Sequence, residues 1–171
     1  LLEKSGPFHK YQTAATVRQL RELKLQIPCF DTSWDISAAD CNLEDLLALF
    51  EVAHNTHVPY VVACALTENE DTVKKNLETL LPKAEELGVT LLLKTSGIYA
   101  DTARLRKLLD RFASDYLAAL WDIHHPYRDY DESANTTIKN LGMLVTGQLS
   151  SNDVGGPVAI IGTIGDVYEQ T

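Results

Sequence analysis

Val58-Pro59-Tyr60-Val61-Val62-Ala63-Cys64-Ala65-Leu66 is an almost unbroken apolar run, and Val89-Thr90-Leu91-Leu92-Leu93 repeats its character downstream. Short continuous runs of this kind read as strands buried on both faces, the mark of a parallel sheet. Between the two runs the spacing changes to that of a helix. Val73, Leu77, Leu81 and Ala84 fall on one face, Thr67 and Glu70 have the spacing of a capping box, and Gly88 stands where the helix should stop. Pro82 inside this segment is expected to kink it.

The same alternation extends both ways. Upstream, Val17, Leu20, Leu23 and Leu25 suggest an amphipathic helix, and Ile27-Pro28-Cys29-Phe30 a short strand ending at Asp31. Asn42 is placed to cap a helix whose Leu43, Leu46, Leu47, Phe50 and Ala53 share a face. Downstream, Asp101 caps a helix carrying Leu105, Leu108, Leu109 and Phe112, residues 116–122 form a fourth strand, and a last helix covers 133–140. The strands recur at a spacing of about 30 residues, as βα units on a parallel sheet do. Right-handed crossovers then bring every strand's C-terminal end to one rim. Asp31, residues 64–67, residues 94–96 and residues 122–125 are expected there.

Bulk properties restrict the function. The 171 residues suit one domain, with 1–142 carrying the pattern (its βα repeat clear from about 15) and 143–171 an irregular tail in which 158–161 is a candidate strand. A net charge of −9 argues against a nucleic-acid partner, since a phosphate backbone needs a basic stripe. No apolar run approaches membrane-spanning length. Cys29, Cys41 and Cys64 are odd in number and form no CxxC pair, so a reducing cytoplasmic setting is expected and the Asn135-Thr136-Thr137 sequon carries little weight.

One segment gathers most of the chemistry: Trp121-Asp122-Ile123-His124-His125-Pro126-Tyr127-Arg128, at the end of the fourth strand. Side-chain alternation along an extended strand would put Asp122 and His124 on one face and His125 on the other, unless the chain turns at His124. Tyr127 and Arg128 could grip a phosphate or carboxylate, or pin a loop against the acidic stretch 129–132. Cys64 reads as a small buried apolar residue more readily than as a nucleophile. His54 and His57 read as helix-end residues.

Three stretches together resemble the sugar phosphate isomerase/epimerase family, the xylose isomerase-like (β/α)8 barrels. They are residues 85–96, residues 101–109, and Leu120-Trp121-Asp122-Ile123-His124-His125-Pro126-Tyr127-Arg128 followed by the Glu132-Ser133 pair that opens the next helix. The resemblance covers residues 15–142 and implies a TIM barrel entered partway, from its second helix through its sixth strand. A whole barrel takes about 250 residues, so the remainder would come from further chain or a partner; a homo-oligomer is open.

The resemblance implies a sugar or sugar phosphate ligand and a divalent metal (Mn, Mg or Zn) that assists proton transfer beside the sugar carbonyl. Asp122 matches the family's Asp metal ligand, and His125 the histidine that contacts substrate; His124, Tyr127 and Arg128 would line the substrate. The family's first Glu ligand, in a Leu-Leu-x-Glu-Thr-His pattern, is matched by Lys94 of Leu92-Leu93-Lys94-Thr95-Ser96, and no histidine follows His125 to supply the later ligand. Lys94 is then either a base or phosphate anchor, or a cation paired with Asp122 across the rim. The alternative to the isomerase is a carbohydrate-binding or regulatory barrel without its metal. A third branch, resembling endonuclease IV, needs a histidine-rich multi-metal site and a basic surface, which five histidines and a charge of −9 do not supply.

Overall fold

The structure is a computed structural model that describes residues 2–3 and 6–141. The expected strand at 158–161 lies outside the described residues. Four strands, β1 (Cys29–Asp35), β2 (Tyr60–Cys64), β3 (Thr90–Lys94) and β4 (Leu117–Leu120), form one parallel sheet in the order β1-β2-β3-β4. Helices α1 (Thr13–Glu22), α2 (Leu43–Thr56), α3 (Glu70–Leu87) and α4 (Thr102–Phe112) alternate with them. Two short helices follow β4: α5 (His124–Tyr130) and α6 (Ala134–Leu141).

Period-two alternation divides the strand residues between two apolar clusters. Val61, Ala63, Leu91, Leu93, Leu117 and Ala119 pack toward the helices, where Leu46, Leu49 and Phe50 of α2, Leu77 and Leu80 of α3, and Leu105 of α4 complete the main core. Val62, Leu92, Ala118 and Leu120 form a separate cluster on the opposite face, with Cys29 and Tyr60 against it. Lys94 follows Leu92 on that second face by parity, and Asp122 follows Leu120. Lys94 is the register partner of Leu120, so parity and register together bring Lys94 and Asp122 to one place.

The helix ends explain several boundaries. Asn42 caps α2 by accepting from the backbone N–H of Glu44 and Asp45. Asp101 caps α4 by accepting from Arg104. Gly88 ends α3 at φ +64, the left-handed region that glycine enters without a Cβ penalty. The expected capping box on α3 is corrected: Asn69 is the cap, and its side chain accepts from Thr72 N. Thr67 instead bonds Ser37, and Glu70 pairs with Arg104. Helix α3 is assigned continuously through Pro82.

Two other expectations shift. Leu23 and Leu25 lie beyond the end of α1 and are exposed, so they belong to no helical face. Strand β1 runs to Asp35, not Asp31, with an irregular register between those residues. The residues from Asp31 to Asp35 lack an apolar run, and pairing with β2 carries the strand through them.

Candidate functional site at the β3–β4 rim

Residue Thr95 locks the ends of β3 and β4 together. Its hydroxyl donates to the Asp122 carbonyl at 3.2 Å and accepts from Asp122 N–H at 2.7 Å, and its own N–H donates to Leu120 O at 2.9 Å. It is fully buried, so these bonds are shielded from water. Sequence reasoning placed residues 94–96 on this rim but gave Thr95 no role, because a threonine ending an apolar strand carries no signal separable from strand propensity.

Asp122 is 9% exposed, and its two carboxylate oxygens differ. Oδ1 accepts from the backbone N–H of His124 at 3.1 Å, which starts the turn into α5. Oδ2 is buried and accepts no hydrogen bond. It faces two cation-capable groups at ion-pair distance, Lys94 Nζ at 3.5 Å and His125 Nε2 at 3.6 Å. The contact is therefore one of charge, with hydrogen-bonding capacity on Oδ2 still available.

The turn at His124 settles which histidine reaches Asp122. Because α5 begins at His124, helical spacing places His125 on the Asp122 side, three residues on. Pro126 is accommodated in the first turn, where its missing N–H has no helical partner to lose. His124 meets the His125 ring edge-on, with centroids 5.8 Å apart.

On its other edge, His125 Nδ1 lies 2.8 Å from an Arg128 nitrogen and 3.3 Å from Asp129 Oδ2. Arg128 also donates to Asp129 at 2.6 Å. The hydrogen bond from Arg128, helped by His125, holds the Asp129 carboxyl below its ordinary value. Arg128 thus orients His125 and Asp129. Tyr127 is 65% exposed and takes no part in this network.

The neighbouring groups fill other roles. Burial, with Asp35 nearby, pushes the Cys64 thiol up to about 11, partly offset by Lys94. Its Sγ bonds Trp34 O at 3.4 Å, the contact of a packed small side chain. Glu132 accepts from the hydroxyls of Thr102 and Thr137, joining α4 to α6, and Ser133 accepts from Thr136 N–H at 3.2 Å. His54 bonds Leu87 O at 2.7 Å, linking α2 to the end of α3, while His57 is the left-handed cap of α2. Both histidines act at helix ends, away from the site.

The described residues do not by themselves complete a divalent-ion site. Among the described residues no group of three or more His, Cys, Asp and Glu side chains could hold a metal. More decisively, the Lys94 ammonium already faces the only free oxygen of Asp122. The arrangement can offer a ligand hydroxyl an acceptor (Asp122 Oδ2), a charged donor (Lys94) and an imidazole (His125) within one small space. No helix among the described residues is long and apolar enough to cross a membrane. No protein-family model matches the chain, and no curated protein matches it either.

Proposed function

We propose that this chain is part of a (β/α)8 barrel similar to the sugar phosphate isomerases/epimerases, and that it binds a sugar or sugar phosphate without a divalent metal. The four consecutive parallel strands with helices against one face support the barrel reading. The observation that carries the function is the Lys94–Asp122 pair at 3.5 Å, with Asp122 Oδ2 buried and without a hydrogen bond. A buried carboxylate oxygen left without a donor favours a ligand hydroxyl strongly. Lys94 supplies positive charge where the resembled family has a metal ligand, and it can donate to a hydroxyl or a phosphate. His125, oriented by Arg128, completes the contact. Three free thiols agree with the reducing cytoplasm proposed as its setting.

Metal-assisted isomerisation is the second reading, favoured by the same unpartnered Oδ2, which a ligand oxygen must have free. Calorimetric titration of pentose and hexose phosphates in the presence of a chelator separates the two. Binding that persists in chelator and falls at least tenfold in Asp122→Asn and in Lys94→Met supports the metal-free site. Binding that appears only with added Mn²⁺ supports the isomerase, and no binding under either condition overturns both.

A further inference from the structure

The opposite end of the sheet carries a hollow that shares no lining residue with the Lys94–Asp122 site. It lies between α1 and the segments that enter β1 and β2, and its volume is about 920 Å³. That falls within the roughly 300–1,000 Å³ range of small-molecule sites. Leu20, Ile27 and Val58 contribute apolar wall, and Val17 and Leu20 bring the apolar side of α1 to it. Helix α1 has no buried residue, so that side is not absorbed by the core.

The charged side chains that line the hollow are Arg21 and Lys24, with His57 beside them. No carboxylate among the described residues lines it, in a chain whose net charge is −9. Arg21 and Lys24 are exposed and form no ion pair with any described residue. Basic residues commonly offset the partial negative charge at helix C-termini, and α1 and α2 both end here. Two helix ends carry about −0.5 each. Arg21 and Lys24 together exceed that, so the hollow keeps a positive surplus beside an apolar wall.

We propose that this hollow binds a free amphipathic organic anion, a monocarboxylate with an apolar chain. The carboxylate pairs with Arg21 and Lys24 through charge-assisted hydrogen bonds, and the chain lies along Leu20, Ile27 and Val58. The test is calorimetric titration of the full chain with decanoate below its micellar range, beside decyltrimethylammonium, which has the same chain and the opposite charge. Decanoate is expected to bind one per chain, at least tenfold more tightly than the cation. The double variant Arg21→Glu/Lys24→Glu should lose at least tenfold in decanoate affinity. Lys75→Glu/Lys107→Glu, which makes the same charge change at exposed positions outside the hollow, should lose less than twofold. Equal affinity for the two amphiphiles, equal loss in the two double variants, or no decanoate binding would overturn the proposal.

Discussion

Two carboxylates stand on one rim of the sheet, Asp35 at the end of β1 and Asp122 just past β4, and they are held in opposite ways. Asp35 Oδ1 accepts from Ser37 N–H at 2.9 Å, from the Ser37 hydroxyl, and from Leu66 N–H at 3.0 Å across to the end of β2. Thr67 then bonds Ser37 through both its N–H and its hydroxyl, at 2.9 and 3.1 Å. Asp35 thus ties the fold together. Asp122 satisfies one oxygen the same way but leaves the other buried, without a donor, facing Lys94 and His125. Similar chemistry at the two edges of the described sheet has become a fastener in one place and an open acceptor facing cationic side chains in the other. What separates them is whether backbone N–H groups converge on the carboxylate or cationic side chains do.

The largest effect should come from the crossing that joins the two regions. Gly97, at φ +60, follows β3 where it passes the end of β2, and an added Cβ would come 2.2 Å from Ala65 O. Gly97→Ala should therefore cost at least about 3 kcal/mol in chemical denaturation, combining backbone strain with a clash against main chain that has no flexible end to move. A loss under about 1 kcal/mol would show that the two strand ends are not tightly coupled.

Next, Asp35→Ala should cost about 2 kcal/mol, because it strands donors that only this carboxylate gathers. Asp122→Asn should cost less, about 1 kcal/mol, since the amide oxygen can still serve His124 N–H and the partly exposed Lys94 can turn to water. The pair of variants sharpens the contrast: Asp35→Ala is a stability variant, and Asp122→Asn a ligand-binding variant. Equal stability losses would break the comparison.

The smallest effect at neutral pH belongs to Cys64, which both Asp35 and Lys94 influence. Its thiol is raised from 9.0 to about 11 in the fold, so the folded state favours the neutral form. That contribution is fully present below pH 9 and is lost as pH rises through about 11. Cys64→Ala should therefore flatten the alkaline fall in stability while leaving the acid side unchanged, as read by denaturation at stepped pH. The low thiolate fraction also predicts slow reaction of native Cys64 with thiol reagents at pH 8.

The fold was legible where burial and period agree. Residues 89–93 and 58–66 announce buried strands because continuous apolar runs have few other uses at that length. Asp35 was not legible, since its strand is polar and held by pairing with β2. At the site, Lys94 and Asp122 could be placed together from strand parity and from the Trp121–Arg128 pattern. The side taken by His125 was left open between strand alternation and a turn at His124, because a short, polar, proline-containing segment does not say where α5 begins. Pro126 early in that segment was the available signal, being tolerated in a first turn.

If Lys94 stands in place of a divalent ion beside Asp122, titrating Mn²⁺ and Zn²⁺ into the intact chain, with Asp122→Ala as the reference, should give no Asp122-dependent binding tighter than millimolar. Micromolar binding abolished by Asp122→Ala would show instead that a metal sits beside Asp122.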